Sequence, residues 1–243
     1  MQTYRNDKYI RSRARIGRYA SFAGMGVLLV GLIITWTSPE LIGVSLLALI
    51  AGFVLSQVGL YYANRFARAE RPDQVLPKAL KGFDDRYMLF QYTSPAGNVL
   101  VTPSSCVVFA LKMQGGPIQY QNGRWKNNIG WRRILAWFAQ DSLGNPTREA
   151  ESEADALRRY VAKKIPDIEV PVQPVIVFAN PAAEVDAGES PVPAIHYKKL
   201  KEWLRGPGKS GNLNTGARAQ LLELLVSSGS KEEPAPDDTP DDQ

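Results

Sequence analysis

The 243-residue sequence predicts a membrane-anchored α/β fold, in which a two-helix transmembrane hairpin precedes one globular domain. The first observation is a pair of long uncharged runs, Tyr19–Pro39 and Leu41–Asn64, which are separated only by Glu40. A helix of about 20 mostly apolar residues is long enough to cross the hydrocarbon core of a bilayer. The second observation is an alternation of strand and helix patterns in the remaining chain, whose length suits a single domain.

The charged residues beside the two runs predict the orientation of the hairpin. Residues 1–18 carry six basic side chains against Asp7, and the turn at residues 37–40 contains no lysine or arginine. Short basic flanks stay in the cytoplasm, so we expect both termini there, in the plasma (inner) membrane if the source is a bacterium. The predicted segments are a basic cytoplasmic N-terminus (1–18), transmembrane helices (19–39 and 40–64) and a basic juxtamembrane linker (65–72).

Small residues predict close packing of the two spans. Ala48, Gly52 and Ser56 recur every four residues on the second run, and Ala20 and Gly24 do so on the first. Small residues at this spacing let helices approach closely in lipid, either within one hairpin or between copies in a homo-oligomer. A buried hairpin in a soluble protein and a cleaved signal peptide are the alternatives. The length of both runs and their close succession disfavour these alternatives.

The composition excludes several kinds of site. One cysteine, Cys106, and one histidine, His196, cannot form an intramolecular disulfide or a conventional zinc site. Cys106 lies in an apolar stretch and is predicted to be a small core residue. The net charge of +5 owes much to the basic N-terminus, so it does not by itself indicate a nucleic-acid partner. The acidic tail, residues 227–243, lacks large apolar residues and is predicted to be disordered.

The domain is predicted to occupy residues 73–205. A helix begins at Asn145, which is a good N-cap before Pro146, and its apolar residues keep helical spacing to Ile165. A nearly continuous apolar run at residues 172–179 predicts a central strand covered on both faces. The other predicted elements are helices at 73–81 and 198–204, strands at 87–93, 99–102, 107–112 and 118–121, and a linker with a short helix at 206–226.

Three stretches in this order resemble the nuclease-related domain (NERD) family, a distant branch of the PD-(D/E)XK nuclease-like fold. They are residues 95–103 running into 108–112, residues 123–125 followed by 144–150 and the helix, and residues 174–180. Together they extend over roughly residues 73–205. The resemblance implies a nuclease-like α/β domain with a mixed central sheet.

The resemblance also implies where an active site would lie. In such nucleases an Asp on one strand, and a Glu two residues before a Lys on the next, serve metal-dependent hydrolysis. The carboxylates bind Mg²⁺, which stabilises charge on the phosphate and helps to activate water. The Glu and Lys point into one site because residues i and i+2 of a strand share a face.

This sequence departs from the family pattern at the metal-binding positions. The Asp falls at Gly97, with Asn98 beside it, and the Glu falls at Ala110. Lys112 remains, and Glu149 replaces the glutamine that is usual in the Asn-Pro motif. Glycine and alanine offer no side-chain oxygen to a metal. The resemblance therefore predicts a non-catalytic member without a cofactor. Lys112 is expected either to extend along apolar neighbours towards water or to pair with Glu149.

A basic and aromatic stretch is the remaining candidate for ligand recognition. Its members are Arg124, Trp125, Lys126, Arg132 and Arg133. The first interpretation is a helix or loop whose Trp131, Leu135 and Phe138 pack on the domain while Arg132 and Arg133 face water. The second is contact with anionic lipid headgroups, and the third is contact with nucleic acid.

The sequence as a whole predicts a binding or scaffolding module at the cytoplasmic face of a membrane. The first alternative is a membrane-tethered, metal-dependent nuclease or nucleic-acid-binding protein. Catalysis would then need Mg²⁺ at a site rebuilt from acids such as Asp84, Asp85 or Glu149. The second alternative is a structural membrane protein without a ligand, whose hairpin associates with other membrane proteins through the Ala48–Gly52–Ser56 face.

Overall fold

Two long helices open the chain in a computed structural model, which describes residues 1–67, 72–127, 143–209 and 211–231. Helix α1 spans Asp7–Thr37 and helix α2 spans Ile42–Phe66, with a 3-10 turn at Pro39–Leu41 between them. The Asn6 side chain accepts a hydrogen bond from the Tyr9 N–H (3.0 Å) and so caps α1 well before residue 19, where the span was predicted to begin. The basic N-terminal segment is therefore largely helical.

The two helices pack on each other along a line of small residues, as their spacing predicts. The buried glycines of α1 are Gly17, Gly24 and Gly31, and α2 buries Ser45, Gly52 and Gly59. Both series repeat every seven residues, which is the period that keeps one side of a supercoiled helix on its partner. The Ala48–Gly52–Ser56 face lies against α1 of the same chain. Association between copies would therefore need another side of the hairpin.

Most of the apolar surface of both helices is exposed. Both helices are long and apolar enough to cross a membrane, and only 11% of the apolar window of each is buried. Phe22 is 66% exposed, Leu47 is 69% exposed and Trp36 is 86% exposed. This exposure argues against a hairpin buried inside a soluble protein.

The domain is built on a mixed central sheet, with a second, smaller sheet beside it. The strands are β1 (Gln2–Arg5), β2 (Met88–Gln91), β3 (Asn98–Val101), β4 (Cys106–Lys112), β5 (Gly116–Gln121), β6 (Arg124–Asn127), β7 (Val172–Phe178), β8 (Ala183–Asp186), β9 (Ala194–His196) and β10 (Ser230–Lys231). In the central sheet β2, β3 and β4 are antiparallel neighbours, and β7 and β9 continue it in parallel. The central sheet has the order β10-β1-β2-β3-β4-β7-β9, and the smaller sheet has the order β6-β5-β8.

Helices cover both faces of the central sheet. They are α3 (Pro72–Ala79), α4 (Pro146–Lys164), α5 (Leu200–Arg205) and α6 (Thr215–Val226). Leu157 of α4 and Leu221 of α6 are fully buried against the face that carries Cys106 and Val108. Burial raises the pKa of the Cys106 thiol to about 12, which fits the predicted core role. The opposite face packs on α3 and α5. Helix α6, predicted to follow a linker, thus contributes to the core of the domain.

The N-terminal strand β1 connects the hairpin to the sheet. It pairs in parallel with β2, and the Tyr4 ring stacks on the Phe90 ring at 5.2 Å. One strand of the sheet therefore precedes the hairpin and the next follows it. Both ends of the hairpin therefore meet the same domain.

Candidate functional site

The candidate site lies where α4 crosses the beginning of β3 and the end of β4. Gly97 is buried immediately before β3, and its N–H donates a hydrogen bond to Glu153 Oε2 (3.3 Å). A Cβ placed on Gly97 would lie 3.6 Å from Glu153 Oε2 and 3.6 Å from Arg65 Nη2. The resemblance places a metal-binding Asp at this position. Here the residue is a glycine, whose neighbours are the Glu153 carboxylate and the Arg65 guanidinium.

Arg65 comes from the last turn of α2 and connects the hairpin to this site. Its Nη2 lies 3.8 Å from Glu153 Oε1, and the two side chains are 40% and 24% exposed. The ion pair is therefore shielded only in part, and it joins two elements that are far apart in the sequence. A cation supplied by the hairpin lies beside the position where the family would hold a metal ion.

Burial raises the pKa of the Glu153 carboxyl above its ordinary value. The charged form is favoured by Arg65 and by the hydrogen bond from Gly97, but these effects only partly offset the loss of solvation. Glu149 lies one turn away on α4, and its negative charge raises the pKa further. Glu153 therefore holds a proton more readily than an exposed glutamate does.

Replacing Arg65 by glutamine is expected to make the stability of the protein more sensitive to pH. The raised pKa means that the folded state binds more protons than the unfolded state, so stability falls as pH rises from the ordinary pKa of 4.5 through the raised one. Without Arg65 the pKa rises further and this fall is larger, by about 1 kcal/mol at neutral pH. Thermal unfolding of the full chain in detergent, measured across this range, tests the prediction.

The double variant Arg65→Gln/Glu153→Gln is the control for this experiment. It lacks the carboxyl that titrates, so its unfolding temperature should not show the additional fall. Equal pH profiles for the wild type and Arg65→Gln would contradict the pairing of Arg65 with Glu153.

The second half of the site lies on β4. Ala110 is 2% exposed and packs among apolar residues that include Ile176 and Phe178, so this position offers no oxygen atom. Lys112 Nζ lies 2.6 Å from Glu149 Oε2 and donates a hydrogen bond to the Leu143 carbonyl (3.0 Å). Of the two roles expected for Lys112, the structure therefore shows the pairing with Glu149.

The charges of the site are arranged as two ion pairs, one at Glu149 and one at Glu153 of α4. Within the described ranges no group of three or more His, Cys, Asp or Glu residues is placed to hold a metal ion. Asn98 does not join the charged residues, because its Oδ1 accepts a hydrogen bond from Gln91 Nε2 (3.2 Å) inside the sheet. This geometry can join the hairpin to the domain and can present a partly exposed carboxylate and cation.

The acids proposed for a rebuilt active site form other contacts. Asp84 Oδ2 lies 2.6 Å from Arg86 Nη2, and Asp85 Oδ1 lies 3.1 Å from the amino group of Met1. Both lie in the turn before β2. No contact among the described residues brings either of them to Glu149.

The basic and aromatic stretch divides between the core and the surface. The Trp125 ring packs beside Phe178, with 5.8 Å between ring centroids, and its Nε1–H donates a hydrogen bond to Thr147 Oγ1 (2.8 Å). Arg124 and Lys126, its neighbours in β6, are exposed. Trp125 therefore packs on the domain. The first interpretation of this stretch concerns residues outside the described ranges, namely Trp131, Leu135, Phe138, Arg132 and Arg133.

The sequence did not identify Glu153 and Arg65 as residues of the site, and only Glu153 carried a signal in the sequence. Glu153 lies four residues after Glu149, a spacing that places both on one face of a helix. Arg65 gave no such signal, because a basic residue after an apolar run looks like an ordinary membrane flank.

In comparisons with known proteins, no family model, curated protein or solved structure matches this chain. Its function is therefore inferred from the residues and their geometry.

Proposed function

We propose that this chain is a membrane-anchored, non-catalytic binding or scaffolding module of nuclease-related ancestry, which its hairpin holds at the cytoplasmic face of the membrane. The observation that carries the proposal is the pairing of Arg65 with Glu153 beside Gly97. It replaces a metal ion and its ligand by a protein cation and a neighbouring carboxylate. The same ion pair fixes the domain against the base of the hairpin.

The exposed surface of the hairpin supports membrane insertion. Large apolar side chains cover both helices on the sides that face away from their contact, as Phe22 and Leu47 illustrate. Each Å² of apolar surface left in water costs roughly 25 cal/mol, so a hairpin of this kind needs an apolar environment. A bilayer provides it along the uncharged runs of both helices.

The charge distribution supports the cytoplasmic side. Lys8, Arg11, Arg15 and Arg18 are exposed on the first part of α1, at the end of the hairpin that meets the domain. The opposite end carries Glu40 and no basic residue. The excess of basic residues therefore lies on the domain side, as the positive-inside rule requires for a cytoplasmic domain.

The state of the candidate site supports the absence of catalysis. A metal ion would need oxygen ligands, but Gly97 and Ala110 have none, and Arg65 would repel a cation. Lys112 is occupied by Glu149 and the Leu143 carbonyl. The order of the elements, with three antiparallel strands followed by a helix and a parallel strand, is compatible with the proposed ancestry.

A cleavage assay tests the non-catalytic part of this proposal. Labelled DNA and RNA are incubated with the full chain in lipid nanodiscs, with Mg²⁺ or Mn²⁺ and with a chelator. We expect no metal-dependent cleavage, because the site lacks both carboxylates that would bind the ion. The variant Lys112→Ala is the control. Metal-dependent cleavage that this variant abolishes would overturn the proposal. A salt-sensitive rise in the fluorescence anisotropy of labelled DNA, without cleavage, would identify nucleic acid as the ligand.

A further inference from the structure

We propose that a cavity between the base of the hairpin and the domain binds the anionic phosphate headgroup of a membrane phospholipid. This inference rests on the proposed function, since a membrane must supply the lipid. The cavity has a volume of about 520 Å³, and its walls come from α1, α2, α4 and the turn between β2 and β3. The residues that carry the proposal are Tyr9, Arg13, Tyr62, Arg65 and Thr93.

Arg13 is the main candidate for phosphate contact. Its guanidinium carbon lies 5.0 Å from the centre of the Tyr9 ring and 5.6 Å from that of the Tyr62 ring, and Nη1 donates a hydrogen bond to the Tyr62 hydroxyl (3.1 Å). No carboxylate pairs with Arg13 in the part of the chain that the structure describes. The rings hold the guanidinium in place while most of its five N–H donors remain available for an anion.

The other walls add a second cation and a buried hydroxyl. Arg65 contributes a guanidinium whose partner is Glu153, so the cavity holds two arginines against one carboxylate. Thr93 is 5% exposed, and its Oγ1 has no hydrogen-bond partner among the described residues. A ligand with several oxygen atoms could accept hydrogen bonds from both guanidinium groups together. This favours a phosphate over a simple halide or an apolar guest.

The position of the cavity identifies a lipid as the source of the phosphate. Ile16 and Leu60 are 42% and 40% exposed and lie at the edge of the apolar surface of the hairpin. The helical rise places Arg13 only ~5 Å from Ile16 along α1, towards the N-terminus of the helix. Tyrosine rings are favoured at this level, where one part of the ring meets hydrocarbon and the other meets water. A lipid whose chains lie along the hairpin would therefore place its phosphate at the cavity.

The test measures lipid binding by the full chain in a neutral detergent. The unfolding temperature is followed as phosphatidylglycerol, phosphatidylcholine, glycerol 3-phosphate or inorganic phosphate is added. We expect phosphatidylglycerol to stabilise the wild type at the lowest concentration. Arg13→Gln should weaken this effect about tenfold or more, because a charge-assisted phosphate contact is lost.

One variant separates the site from general effects. Arg15→Gln removes an exposed positive charge of the same helix that does not line the cavity, and it should bind phosphatidylglycerol as the wild type does. Equal weakening by Arg13→Gln and Arg15→Gln would overturn the site, because it would indicate unspecific attraction to charged headgroups.

Two further outcomes distinguish the source of the phosphate and the membrane anchor itself. Stabilisation by inorganic phosphate or glycerol 3-phosphate at the same concentration as by the lipid would overturn the lipid headgroup as ligand.

Sedimentation of the full chain with phosphatidylcholine vesicles tests the anchor independently. A chain that sediments with these vesicles but shows no preference for phosphatidylglycerol would overturn the headgroup site alone. A chain that stays in solution without detergent would overturn the proposed function.

Discussion

Replacing Gly59 by leucine is expected to destabilise the hairpin by about 3 kcal/mol, at the upper end of the range for overpacking. A Cβ on Gly59 would lie 2.5 Å from the backbone nitrogen of Ser21 and 2.8 Å from its Cα. Backbone atoms cannot move aside as a flexible side chain can, so α1 and α2 would have to separate. Thermal unfolding of the purified chain in detergent, followed by circular dichroism, measures the effect.

Gly26→Leu is the matched control for this change. Gly26 lies on α1, and a Cβ added there meets no other atom within 4 Å. The substitution should be neutral or slightly stabilising, since leucine is a better helix former than glycine. Equal losses of stability in the two variants would contradict the packing of the hairpin along its buried glycines.

Replacing Tyr4 by alanine is expected to cost about 2–3 kcal/mol, since an aromatic ring that packs on the sheet is lost. The ring of Tyr4 stacks on Phe90 at an interplanar angle of 17°, and strand β1 is held to β2 by hydrogen bonds such as Asn6 N–H to the Gln91 carbonyl (3.0 Å). Removing the ring exposes Phe90 and weakens the strand that leads into α1. The free energy of unfolding of the full chain in detergent measures the loss.

Tyr4→Phe is the control for this second prediction. It keeps the stacked ring and removes only a hydrogen bond from the Tyr4 hydroxyl to Gln2 Oε1 (3.2 Å). Its stability should stay within about 0.5 kcal/mol of the wild type, as for a partly exposed polar contact. If alanine were tolerated as well as phenylalanine at position 4, the N-terminal segment would not belong to the sheet.

Elements with a strong local pattern were predictable from the sequence. Helix α4 was marked by its Asn145 cap, by Pro146 and by apolar residues at helical spacing. Strand β7 was marked by a continuous apolar run, as expected of a strand covered on both faces. These signals depend only on neighbouring residues, so they do not require knowledge of the tertiary contacts.

Strands that depend on their partners were not predictable. Strand β1 has the sequence Gln-Thr-Tyr-Arg and carries no apolar alternation, so only its pairing with β2 defines it. Strand β5 was predicted as a strand, but no local pattern could show that it pairs with β6 and β8 in a separate sheet. Pairing partners are set by contacts between distant segments, which a single sequence does not display.

The candidate site divides in the same way. The ion pair of Lys112 with Glu149 was one of two roles expected for Lys112, and the fold places the two side chains together. The contact of Arg65 with Glu153 joins the hairpin to the domain, and the sequence treats these as separate segments. The seven-residue spacing of the buried glycines is present in the sequence beside the four-residue spacing of Ala48, Gly52 and Ser56, and it marks the contact line of the two helices.

Cysteine labelling in intact cells tests the central claim that the hairpin crosses a membrane and holds the domain on the cytoplasmic side. The native Cys106 is fully buried, so a single new cysteine can be labelled selectively. Glu40→Cys lies in the turn between the helices, and Glu151→Cys lies on the exposed side of α4. A membrane-impermeant maleimide should label Glu40→Cys in intact cells and Glu151→Cys only after the membrane has been opened. Labelling of Glu151→Cys in intact cells, or protection of both positions until the membrane is opened, would contradict the account.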